Sequence, residues 1–204
     1  MKKLLLLLLV ALMAATTGCG KRNAATMIDP NNDTNARIMG LGYRDFEQAA
    51  STAVNEMLSS GAVSKPGGGR YVMVVSRVIN DTMQNIDTDQ LIKKIRIDLL
   101  RSGKVVTTTA IGIDGAEDPM VAEARKLRKS QEVNQTNVAR KGQIVAPDLS
   151  LSGKIIQRNH RIDSGTDQIE YYFMLTLTDI NTGLAFWEGE TPIIKRGDSG
   201  TVSW

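Results

Sequence analysis

Scarcity bounds the chemistry of this 204-residue sequence: one cysteine, one histidine, five prolines, and aromatic side chains at only 4%. With one histidine, His160, a His-based metal site would have to be completed by carboxylates, which is uncommon for zinc. A lone cysteine, Cys19, has no partner for a disulfide within the chain. A core poor in aromatics must rest on Val, Ile, Leu, Met and Ala. No G-x-S-x-G setting marks a nucleophilic serine, and no internal repeat or membrane-length apolar run is present.

Cys19 lies in LMAATTGCGKR, residues 12–22, directly after Lys2, Lys3 and an apolar run over residues 4–15. That order is a secretory signal with a positive start, and the run is shorter than the roughly 20 residues that span a bilayer. Small residues at the end of the run followed by Cys resemble a bacterial lipoprotein signal, in which the sulfur receives diacylglycerol and the peptide is cut before Cys. An ordinary signal would instead leave an exported thiol without a partner, a liability that lipidation removes. We therefore read residues 1–18 as a signal peptide and Cys19 as the lipidated N-terminus. Each buried methylene contributes about 0.8 kcal/mol, so two or three acyl chains hold a protein on a membrane. Gly20 follows Cys19 in the place where Asp would retain a lipoprotein at the inner membrane, which points to the outer membrane. Without Lys2 and Lys3, 23 basic side chains face 22 acidic ones, a balance that gives no reason to expect nucleic acid.

Residues 19–42 are polar, rich in Asn and Asp and without period, and read as a tether. Residues 43–196 read as one domain, and 197–204 as a frayed tail. Phe46, Ala49, Ala50, Ala53, Val54 and Met57 repeat at helical spacing over residues 43–60. The glycines of KPGGGR precede the strand YVMVVSRVI instead of following one, so they form a turn and not a phosphate loop. Asp87 or Thr88 caps a second helix over 89–102, and KVVTTTAI, residues 104–111, is a second strand. A third helix opens at Asp118 and Pro119, and another helical segment ends near Gly142. Two long strands follow from Asp148 and Gln168, the second placing Ile169, Tyr171, Phe173, Leu175 and Leu177 on one face. A final strand after the NTG turn, residues 181–183, completes an antiparallel meander. The fold class is α/β, of the α+β kind, with a mixed and largely antiparallel sheet flanked by helices.

The supply of reactive groups is poor. His160 sits between Arg158 and Arg161 near a hairpin turn and reads as a surface imidazole. Glu47, Asp81, Asp87, Asp89 and Glu170 have ordinary places as helix faces, caps, turns and strand edges. We expect no catalytic residues, no cofactor and no metal, and a monomeric binding module. Trp187 reads as core filling. The cluster Arg125, Lys126, Arg128 and Lys129 is either a solvated helix face or a surface for an acidic partner.

Taken together, YVMVVSRVINDTMQNIDTDQLIKKIRIDLLRSGKVVTTTA, APDLSLSGKII and YYFMLTLTDINTGLAFWEGE resemble the LpoB family. Their order carries the resemblance: Asn80-Asp81-Thr82 after a strand, a helix ending in Ser102-Gly103, an LSG strand, and a TG turn four residues before Trp187. Members are outer-membrane lipoproteins that activate bifunctional penicillin-binding proteins. The resemblance implies a sheet flanked by helices similar to the TolB N-terminal domain, no catalysis, and docking onto a peptidoglycan synthase in the periplasm. Better-known members carry a long Pro-rich tether, whereas residues 19–42 hold only Pro30. The strand LTLTDINTGLAFWEGE also resembles the CsgG type of lipoprotein, which implies an assembly or secretion-accessory role as the alternative.

Overall fold

A computed structural model describes residues 27–29, 38–112 and 117–201. The chain divides into two units, Met1–Asp33 and Thr34–Trp204, and the second holds every element below. Cys19 and the signal lie outside the described residues.

Three α-helices and a five-stranded sheet are present among the described residues. Helix α1 (Tyr43–Ser59) opens where the Gly42 N–H donates to Asp45 Oδ2 at 2.7 Å, and it buries Ala49, Ala50, Ala53, Val54 and Met57. The glycine turn, with φ of 81°, 89° and 86° at Gly67, Gly68 and Gly69, feeds β1 (Tyr71–Asp81). These left-handed values suit residues without a Cβ. Asp87 caps α2 (Thr88–Arg101) by accepting from the Asp89 and Gln90 N–H groups at 3.0 and 3.3 Å. Strand β2 (Val105–Thr107) and helix α3 (Pro119–Lys126) follow, then β3 (Leu149–Arg161), β4 (Thr166–Asp179) and β5 (Ala185–Asp198).

The sheet order is β2-β1-β3-β4-β5, with β1 parallel to both β2 and β3 and the last three strands an antiparallel meander. Helix α1 packs on α2, β4 and β5, and α2 packs on β1 and β2. The enclosed core joins Met73, Val75 and Val78 of β1 to Leu149, Leu151 and Ile155 of β3 and to Phe173, Leu175 and Leu177 of β4. The step from Val75 to Val78 is three residues because a bulge shifts the register there, which explains why β1 does not alternate in sequence. Lys94 ties the helices together, 2.9 Å from Glu47 Oε1 and 3.6 Å from Asp98 Oδ1. The hydrogen bond to Glu47 chiefly holds the Lys94 ammonium above its ordinary pKa.

Four segments differ from expectation. Strand β2 has three residues, not eight: the Thr108 hydroxyl accepts from the Ala110 N–H at 3.1 Å, a local turn that competes with the ladder. Between residues 130 and 142 a helix gives way to the 3-10 turn Gln135–Asn137, where Gln135 Nε2 donates to the carbonyls of Leu127, Ser130 and Val133. Residues 38–41 are packed against the domain, Met39 being 5% exposed against Ile169 and Tyr171. Strand β5 runs through Asp198, past the start expected for the tail.

The free edge of β5 is interrupted. The Ser199 N–H donates to the Gly165 carbonyl, so from Trp187 on the odd-numbered residues of β5 bond toward β4 and Pro192 falls on the outer edge. A residue without an N–H in mid-edge discourages pairing with another strand.

Asp148 fastens the start of β3 to β1. Its Oδ2 accepts from the Val72 N–H at 2.9 Å and from Lys65 Nζ at 3.0 Å. The Val72 N–H, then Lys65, holds the carboxyl below its ordinary 3.8. Since the folded carboxyl has the lower pKa, its stabilisation is complete above 3.8 and is lost as pH falls through the folded value. Asp148→Asn should cost about 1 kcal/mol at neutral pH. Urea titrations of both proteins check this, with the gap closing only in acid; a gap constant from pH 7 to pH 2 would show that the charge is irrelevant.

Candidate functional surfaces

The sheet has a face opposite α1 and α2, where the even-numbered residues of β3, β4 and β5 lie. On β4, the Tyr172 hydroxyl donates to Glu170 Oε2 at 2.7 Å and Gln168 Nε2 donates to Glu170 Oε1 at 2.7 Å. His160 Nε2 of β3 stands 3.4 Å from Glu170 Oε2, Arg158 lies over the Tyr172 ring at 5.5 Å, and Arg196 of β5 donates to Gln168 Oε1. The hydroxyl of Tyr172, then the amide of Gln168, holds the Glu170 carboxyl below the usual range, and Glu170 in turn raises the Tyr172 phenol. Glu170 therefore stays ionised, which suits it to fixing a recognition surface better than to donating a proton. On the same face Ile194, opposite Glu170, and Ile79, at the β1 edge of β3, are 57% and 50% exposed.

The four basic residues singled out in sequence take separate places. Arg125 and Lys126 end the short α3, and Arg128 and Lys129 lie on the 3-10 turn after it. Helix α3 starts on Asp118, which accepts from the Met120 N–H at 3.0 Å, and buries no residue. Lys126 pairs with Glu123. Arg128 Nε and Nη2 donate to the Ala139 and Arg140 carbonyls at 2.6 and 3.2 Å, which pins the following loop. Arg125 lines a cleft of about 540 Å³ together with Arg140, Val72, Val106 and Ile144. Arg140, which sequence reasoning missed, comes to the cleft from a loop 15 residues away and carries no local signal.

Among the described residues no group of three or more His, Cys, Asp or Glu could hold a metal ion, and no helix is long and apolar enough to cross a membrane. A second, smaller groove of about 240 Å³ between α1 and α2 is lined by Tyr43, Phe46, Leu91 and Ile97, with Glu47 and Lys94 at its rim.

Among curated proteins none matches this chain. Among solved structures, the LpoB C-terminal domain of Salmonella enterica is similar with a TM-score of 0.44 at 15% identity, over 73% of this chain and 98% of that one. The Escherichia coli LpoB C-terminal domain gives 0.43 at 14% identity over the same shares. The solution structure of Escherichia coli LpoB gives 0.41 at 14% identity, covering 87% of this chain and 78% of that chain. The family profile "Peptidoglycan-synthase activator LpoB" matches residues 45–193, from the first turn of α1 into β5. The chain belongs to the LpoB family of peptidoglycan-synthase activators.

Proposed function

We propose that this chain is a lipid-anchored periplasmic regulator that binds and activates a bifunctional penicillin-binding protein, without catalysis of its own. What carries the reading is the extent of the family match, which takes in both packed helices and nearly the whole sheet. Activation by binding requires a higher affinity for the active state of the synthase, and a tenfold preference corresponds to about 1.4 kcal/mol. Cys19 is the anchor and the outer membrane the site. The 18 residues between Cys19 and Ile38 reach at most about 60–65 Å, which limits how far Ile38, where the domain begins, can stand from the membrane; the domain's own length adds to the reach of its surfaces.

The test is to immobilise the purified full chain, pass envelope extract over it, and measure glycan polymerisation and crosslinking by the captured synthase. Retention of a bifunctional penicillin-binding protein with faster turnover is the expected result. No synthase retained, with a ring-sized assembly in light scattering, would support the CsgG-like alternative; the interrupted β5 edge speaks against assembly through that strand. Cys19→Ser should abolish the acyl mass increment and move the protein from the membrane to the soluble fraction. Membrane retention of this variant would remove the anchor from the proposal.

A further inference from the structure

We propose that the cleft between β2 and the 119–147 excursion binds an acidic, partly apolar peptide segment of a partner protein, held by Arg125 and Arg140. The partner's being a synthase rests on the function proposed above; the cleft and its chemistry do not.

Charge comes first. Between residues 119 and 147 stand Arg125, Lys126, Arg128, Lys129, Arg140 and Lys141 against only Glu123 and Glu132. Glu123 pairs with Lys126, and the Arg128 guanidinium is engaged with backbone carbonyls. The side chains of Arg125 and Arg140 form no ion pair or hydrogen bond among the described residues, yet both line one cleft. A guanidinium presents its donors in a planar fork that fits a carboxylate, and two unpaired forks on one cleft invite two carboxylates or one held from both sides.

The rest of the lining decides against a bare anion. Val72, Val106, Ala110 and Ile144 give an apolar wall, and Val145 beside it is 64% exposed. A phosphate covers no such surface, whereas an aliphatic side chain between two carboxylates covers the wall and meets both arginines. The volume, about 540 Å³, falls in the range of specific ligand sites, roughly 300–1,000 Å³. Arg128 acts as a positioning residue, because its bonds to the Ala139 and Arg140 carbonyls fix the backbone from which Arg140 projects.

The experiment is fluorescence anisotropy of the purified full chain with a fluorescein-labelled Leu-Glu-Val-Glu-Leu-Asp peptide. Saturable binding is expected, weakened about tenfold by Arg125→Gln and by Arg140→Gln and left unchanged by Lys93→Gln, an exposed control on α2. A peptide with Gln and Asn for Glu and Asp should bind at least tenfold more weakly, and inorganic phosphate should not displace the acidic one. Equal binding of the neutral peptide, wild-type affinity in both arginine variants, or displacement by phosphate would each overturn the proposal. Capture of the synthase is measured in parallel with the same variants. Arginine-dependent peptide binding without synthase capture leaves the cleft and removes the activator reading; equal synthase capture by all variants leaves the activator reading and removes the synthase as the cleft's partner.

Discussion

Lys195→Met should lower the stability of the domain by about 2–3 kcal/mol and its melting temperature by roughly 8 °C. From Trp187 on, the odd-numbered residues of β5 face the helices, and Lys195 is the charged one among them. Its ammonium donates to the Ile38 and Gly40 carbonyls, at 3.1 and 2.7 Å, and to Asp45 Oδ2, which matches its three protons with three acceptors. The two side chains are only 17% and 22% exposed, so the pair is shielded from water far more than the Lys154–Asp81 pair, at 41% and 62%. Removing the cation leaves a shielded carboxylate with the Gly42 N–H and releases both carbonyls. Beneath it lies Tyr171, whose phenol burial, with some help from Asp45, pushes up to about 12. The control, Lys154→Met, should cost under about 1 kcal/mol. Thermal unfolding decides, and a drop no larger than the control's would mean that Met39, Leu41 and the hydrogen bond from the Leu41 N–H to Gln84 Oε1 hold the strap without Lys195. Hydrogen exchange should rise first at residues 38–42, at the start of the domain. A loosened strap adds five residues, about 17 Å at full stretch, to the proposed connection from Cys19.

That strap shows where the sequence was legible and where it was not. Helical spacing located α1, and Ala49, Ala50, Ala53, Val54 and Met57 are the residues it buries. Period-two alternation placed Ile169, Tyr171, Phe173, Leu175 and Leu177 on one face of β4, and all five are buried. These patterns are local, and each element carries its own. The strap is not local: Met39 and Leu41 are short apolar interruptions in a polar stretch, and their partners lie more than 120 residues away on β4 and β5. Lys195 was the available hint, a charge at a position where strand parity demands an inward side chain. Trp187 was expected in the core and packs against it while remaining partly exposed, its ring folded over Gly189. The basic run was visible at 125–129; its Lys126–Glu123 pair is local to α3, but the backbone clamp of Arg128 and the cleft place of Arg125 depend on a loop that returns at residues 139–140.

Gly153→Ala should destabilise the domain by about 2 kcal/mol, and Gly153→Val by more. Gly153, in the LSG part of β3, lies between Val78, just past the bulge in β1, and Leu175 of β4. A Cβ there would meet Leu175 Cδ2 at 2.7 Å, the Met174 carbonyl oxygen at 2.8 Å and Val78 Cγ2 at 3.5 Å. Overpacking of this kind costs about 1–3 kcal/mol, and the loss of chain freedom in the unfolded state returns about 0.4–1 kcal/mol. The net sign is set by which neighbour yields. Leu175 can rotate, but the Met174 oxygen belongs to a strand paired on both sides and moves only if the sheet moves with it. A double-mutant cycle separates the two contacts. In a Leu175→Ala background the cost of Gly153→Ala should fall by less than half, because the backbone contact persists. Complete relief would assign the whole cost to the leucine. Gly165→Ala, with nothing nearer than Asp163 Oδ1 at 4.0 Å, is the matched control and should change stability by under 0.5 kcal/mol. Synthase capture per folded molecule should be unchanged in Gly153→Ala, since the glycine opens space between strands and presents nothing to a partner.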